Sequence, residues 1–127
     1  MELARNLKTE SVSRLYPTPP RTVTTQQTVA DAVALMRQHN VGCVLVYEDE
    51  QVVGIFTERD LLTRVLAEDK PLSLPLTDCM TRAPICVDPQ DPIGLAYRRM
   101  AEGGHRHLPV INAKGEAVGI LSSRPIT

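Results

Sequence analysis

Apolar positions recur along the chain in two closely matching passages. In the first, Val29, Ala32, Val33 and Met36 fall at helical spacing; in the second, Ile93, Ala96, Tyr97 and Met100 do the same. Both predict amphipathic helices. Thr28 with Asp31 has the pattern of a capping box, and Asp91 followed by Pro92 reads as an N-cap with proline at the first helical position. A short extended piece leads into each helix ("RTVT", "PICVD"). Two β-rich runs joined by a polar turn follow it: "VGCVLVYE" and "VVGIFT" in the first passage, "RHLPVIN" and "AVGILS" in the second. After Thr57 helical spacing returns with Leu61, Leu62, Val65 and Leu66, until "DKPLSLP" breaks it. The unit reads β-α-β-β-α, which places the chain in the α/β (α+β) class.

The two passages align residue by residue. Pro20 matches Pro84, Val23 matches Val87, Val29 matches Ile93 and Met36 matches Met100, at an offset of 64. Farther on, Val46 is matched with Ile111, Gly54 with Gly119 and Thr57 with Ser122, at an offset of 65, so one residue is expected to be added just beyond the helix. The second copy carries Pro125 where a last helix should be starting, and that helix is expected to be missing. The expected organisation is an N-terminal segment (1–17), a first repeat (18–75) and a second repeat (76–127) sharing one fold. Leu3, Leu7 and Val12 have loose helical spacing, so the N-terminal segment is a candidate cover for the surface the missing helix leaves bare.

Composition narrows the function. Trp is absent and there is a single Phe among 127 residues, so the core must be aliphatic. A net charge of −1, with both signs mixed along the chain, provides no basic footprint for nucleic acid and no polybasic membrane patch. No apolar run approaches the roughly 20 residues of a membrane span, and the N-terminus lacks the apolar stretch of a signal peptide, so a cytoplasmic location is expected. Cys43, Cys79 and Cys86 match no zinc or C-x-x-C spacing and read as thiols in a reducing compartment. His105 and His107 form H-x-H without an evident third ligand, so no metal site is expected. No nucleophile–base pair and no Gly-rich phosphate loop of P-loop or Rossmann spacing is present, and no enzyme activity is expected.

A tandem repeat of this kind, with "VGCVLVYEDEQVVGIFTERDL" in one copy and "RHLPVINAKGEAVGILSSR" in the other, closely resembles the cystathionine-β-synthase (CBS) domain pair, or Bateman module. The shared mark is G-h-x-[TS]-x-x-D at the strand-to-helix junction, and the resemblance covers residues 18–127. It implies a regulatory sensor that binds an adenosine-containing ligand such as AMP, ADP, ATP or S-adenosylmethionine in a cleft between repeats. It also implies a homodimer that signals to a separate partner protein. A ligand-free dimerisation or interaction module is the alternative.

Thr57 and Asp60 are the first candidates for such a site. A helix N-terminus offers oriented N–H groups to phosphate, Thr57 adds a hydroxyl, and a carboxylate one turn on can accept from both hydroxyls of a ribose. Ile55 and Phe56 can supply apolar contact to a base. The same T-x-x-D pattern equally describes a capping box that touches no ligand. The resemblance further implies a phosphate role for Arg106, at the start of a strand, serving the Asp60 site, and a base contact for Ile85. Because the second copy has Pro125 opposite Asp60, and Val41 and Gly42 are matched with Arg106 and His107, only one cleft is expected to keep the nucleotide chemistry.

Overall fold

The computed structural model describes residues 10–123. Within them lie two compact units: one spans Arg21–Pro84, and the other joins the stretch up to Pro20 with the chain from Ile85 onward.

In the Arg21–Pro84 unit, β1 (Thr22–Thr24) runs parallel to β2 (Cys43–Glu48), with helix α1 (Val29–His39) between them in sequence. The Thr28–Asp31 capping box that starts α1 is present, and Asn40 ends the helix in the left-handed conformation at φ 52°. β2 turns back antiparallel into β3 (Gln51–Thr57) through Asp49 and Glu50. Both turn residues have positive φ, 51° and 66°, as a twist-matched two-residue hairpin requires. β4 (Thr81–Arg82) pairs with the other edge of β3 and completes the order β1-β2-β3-β4. Val29, Ala32 and Met36 of α1 bury against Val44, Val46, Phe56, Val65 and Leu76, a core that is aliphatic apart from the single Phe. After β3 comes helix α2 (residues 58–66), an α turn over Glu58–Asp60 that continues with π-type winding over Leu61–Leu66. Val65 is buried, whereas Leu62 and Leu66 are more than half exposed.

The other unit contains α3 (Ile93–Gly103), β5 (His107–Ile111) and β6 (Ala117–Ser122), the two strands antiparallel. The start of α3 differs from expectation. Pro92, extended at ψ 148°, is itself the N-cap, and the Asp91 carboxylate accepts from Asp88 N–H at 2.9 Å instead of capping the helix. Ile93 N–H donates to the Glu10 carbonyl at 3.0 Å, so the N-terminal stretch supplies the acceptor for the helix entry. The apolar stripe is also rotated: Leu95, Ala96 and Met100 pack with Val87, Leu108 and Val110, while Tyr97 is 73% exposed.

The N-terminal stretch is part of the repeat. Val12 N–H donates to Asp91 O at 2.8 Å just as Leu76 N–H donates to Gln27 O at 3.1 Å; the two donors are 64 residues apart, and so are the two acceptors. Ser11 bridges Pro92 as Pro75 bridges Thr28, again 64 apart. Val12 opens a 3-10 turn (Val12–Leu15) and Leu76 opens another (Leu76–Asp78); each is fully buried in its own unit's core. Each unit is thus finished by the chain segment that precedes the other copy's extended lead. Leu3, Leu7 and the position of Pro125, with the expected absence of a last helix, lie outside the described residues.

Pairing corrects the alignment of the strands. Val46 faces Gly54, and Val110, not Ile111, faces Gly119; Val23 pairs with Val46 as Val87 bridges Val110. The offset therefore stays at 64 through β2 and β5, and the extra residue lies in the hairpin turn. There Asn112 Oδ1 accepts from Lys114 and Glu116 N–H, and Gly115 takes φ 84°. A loop accommodates an insertion that a strand packed on a helix cannot.

Candidate functional site

Thr57 ends β3 and is the N-cap of α2. Its hydroxyl accepts from Asp60 N–H at 3.1 Å, and Asp60 Oδ2 accepts from Thr57 N–H at 3.0 Å and from the Thr57 hydroxyl at 3.1 Å. The capping box foreseen as the alternative reading is therefore built in full. Asp60 does more than cap. Its Oδ1 accepts from the Thr81 hydroxyl at 3.3 Å and lies 3.5 Å from Arg64 Nε, while Arg64 Nη1 donates to Met80 O at 2.9 Å. Asp60 is 5% exposed and is the only buried charged side chain among the described residues.

The Thr28–Asp31 box makes a useful contrast. It has the same three hydrogen bonds, at 3.0, 3.2 and 3.4 Å, yet Asp31 is exposed. Capping alone does not require a buried carboxylate. At Asp60 burial is offset by two further partners, as a desolvated charge requires.

Ile55 is buried on β3 opposite Leu45 and Thr81. Phe56, next to it, points to the other face and is fully buried in the aliphatic core, so it is not available to a ligand, contrary to the expectation that it could contact a base. Thr57, Asp60 and Ile55 thus come together at one end of β3. Arg106 and Ile85 belong to the other compact unit. The Arg106 side chain is exposed, and Ser123 N–H donates to its carbonyl as Glu58 N–H donates to Gly42 O. This equivalence makes Gly42, not Val41, the counterpart of Arg106, and Cys43 the counterpart of His107. Ile85 is 46% exposed and lines an open groove of about 560 Å3 with Cys86, Arg99, Glu102 and Gly103. In that groove Arg99 Nη1 donates to the Cys86 carbonyl.

His105 lies ahead of β5 rather than on it, so the two histidines of H-x-H do not share a strand face. Among the described residues no group of three or more His, Cys, Asp or Glu is placed to hold a metal ion. Burial pushes the Cys43 thiol up to about 12, with Glu58 adding to the rise, and burial also raises Cys79 and Cys86. Thiolate chemistry is disfavoured at all three. Among the described residues no helix is long and apolar enough to cross a membrane.

Sequence reasoning missed Arg64 and Thr81 as partners of Asp60. Arg64 was readable in principle, four residues on from Asp60 along a helix. Thr81 was not, because its approach depends on the β3–β4 pairing of Ile55 with Thr81.

Comparison with known proteins gives a consistent result. The domain family described as "CBS domain" matches residues 12–67 and 76–124. A CBS domain-containing protein of Bacillus subtilis (strain 168) is 31% identical over 112 residues, 88% of this chain and 79% of that protein. A mitochondrial CBS domain-containing protein of Arabidopsis thaliana is 38% identical over 105 residues, 78% of this chain and 50% of that protein. Among solved structures, a CBS domain protein from Pyrobaculum aerophilum complexed with AMP is similar at a TM-score of 0.82 and 29% identity, covering 90% of this chain and 88% of that one. An uncharacterized conserved protein from Pyrococcus horikoshii is similar at a TM-score of 0.80 and 30% identity, covering 94% and 96%.

Proposed function

Because the chain belongs to the CBS domain family, we propose that it is a regulatory module that binds an adenosine-containing ligand, with AMP the first choice, and signals to a partner protein. The observation that carries this reading is Asp60: a buried, helix-capping carboxylate just beyond the end of β3, whereas Asp31, in an equivalent capping box, stays exposed. Asp60 is assigned to the ribose hydroxyls and Thr57, with the first-turn N–H groups, to phosphate. Ile55 is assigned to the base. Arg106, as a phosphate ligand, and Ile85, as a second base contact, are assigned on the family register alone. ADP, ATP and S-adenosylmethionine share the adenosine that these residues would hold. A ligand would act by its differential affinity for two arrangements of a homodimer.

The test is a thermal-shift and calorimetric series with AMP, ADP, ATP and S-adenosylmethionine on the wild type and Asp60→Ala. A ligand at about 100 times its Kd adds roughly 2.7 kcal/mol of stability. That should raise Tm by several degrees in the wild type and not in the variant. No shift with any of the four ligands would remove the reading.

The ligand-free interaction module is favoured by a different observation. Leu62 and Leu66, at 59% and 53% exposure, place apolar surface on the outer side of α2, suited to a second copy of the chain. On this reading Asp60→Ala changes stability alone, and gel filtration of Leu62→Glu shows loss of the dimer irrespective of nucleotide.

A further inference from the structure

A carboxylate accepts about four hydrogen bonds through its two oxygens, and those of Asp60 are held unequally. Oδ2 takes the N–H and the hydroxyl of its cap residue, Thr57, at 3.0 and 3.1 Å. The N–H is fixed by the turn of the chain into α2, and the Thr57 oxygen is held in place by the Asp60 N–H that it accepts. Oδ1 takes the Thr81 hydroxyl at 3.3 Å and Arg64 Nε at 3.5 Å, both long for contacts to a charged oxygen. Arg64 is tied down independently through Met80 O at 2.9 Å. The Thr81 hydroxyl rotates freely about its own bond and sits on a two-residue strand, β4. A new donor arriving at Asp60 therefore gains access most easily at Oδ1, by displacing Thr81.

We propose that Thr81 sets the affinity of the Asp60 site by occupying Oδ1, so that a ligand hydroxyl binds in competition with it. The inference rests on the reading of Asp60 as a ligand acceptor. In the wild type, binding exchanges one hydrogen bond to Oδ1 for another and leaves the Thr81 hydroxyl to find a new acceptor. With valine at this position, equal in shape and without the hydroxyl, Oδ1 lacks that donor until the ligand supplies one, and the same contact counts in full.

The experiment is calorimetric titration of AMP into the full chain, as wild type, Thr81→Val and Thr81→Ser. Thr81→Val should bind about three- to tenfold more tightly, the span of one net hydrogen bond, and Thr81→Ser should match the wild type. If the valine protein fails to fold by circular dichroism, Thr81→Ala carries the same comparison. Unchanged or weaker binding by the hydroxyl-free variant, with the wild type binding normally, overturns this inference and leaves the Asp60 reading intact. A gain by Thr81→Ser equal to that of Thr81→Val overturns it as well. Binding by Thr81→Val alone supports both, and absence of binding in all three overturns both.

Discussion

Gly119 lies against Pro17 so closely that a Cβ at this glycine would overlap the proline's own Cβ and come within 3.3 Å of the Thr18 carbonyl oxygen. Gly54 occupies the equivalent place in the other unit, where a Cβ would fall 2.6 Å from Met80 Sδ. In each unit a strand glycine lets the incoming segment pass over the sheet. The neighbours differ in compliance: a proline ring and a backbone carbonyl cannot swing away, whereas a methionine end can. Gly119→Ala should therefore cost about 2–3 kcal/mol and Gly54→Ala about 1 kcal/mol. Urea unfolding of the two variants checks the order, and equal costs would contradict it.

Asp60→Ala and Asp31→Ala remove the same capping box from different surroundings. At the exposed Asp31 the loss should be about 1 kcal/mol. At Asp60 it should reach about 2–3 kcal/mol, because Thr57 N–H and the Thr81 hydroxyl lose a buried acceptor and Arg64 loses its counter-charge. Chemical denaturation without ligand measures both, and the difference between them reports what burial adds.

Val12 provides a test of the N-terminal stretch. It is fully buried with Val87, Ala96, Leu108 and Val110. Val12→Ala should destabilise by about 2 kcal/mol, close to Val87→Ala, since each removes two buried methyl groups from the same core. A Val12→Ala protein as stable as the wild type would mean that this stretch is dispensable to the unit.

The cysteines predict a pH dependence. The folded protein holds the Cys43 proton to about 12, against 9.0 for an ordinary thiol. Between these values the unfolded chain binds fewer protons than the folded one, so stability is unaffected below about pH 8 and falls as pH rises from 9 toward 12. The slope for one such thiol approaches about 1.4 kcal/mol per pH unit. Cys79 and Cys86 shift the same way, so Cys43→Ala should make the alkaline fall shallower without abolishing it. Guanidinium melts at pH 8, 9 and 10 decide the matter.

Helical spacing was enough to place α1 and α3, and β-rich apolar runs bounded by polar turns to place β2, β3, β5 and β6, because both signals are local to the segment that carries them; β2 and β5 bury consecutive residues and show no alternation. The Thr28–Asp31 and Thr57–Asp60 boxes were legible for the same reason: their hydrogen bonds span three residues and need nothing distant. What lay beyond the sequence was everything set by pairing between remote segments. That Val46 answers to Val110, that Val12 stands where Leu76 does, and that Tyr97 stays in water follow from register and core shape. The partners of Asp60 divide along the same line. Arg64 is one helical turn away and could be read from spacing. Thr81 reaches the carboxylate because β4 pairs with β3, a long-range contact that no local pattern encodes.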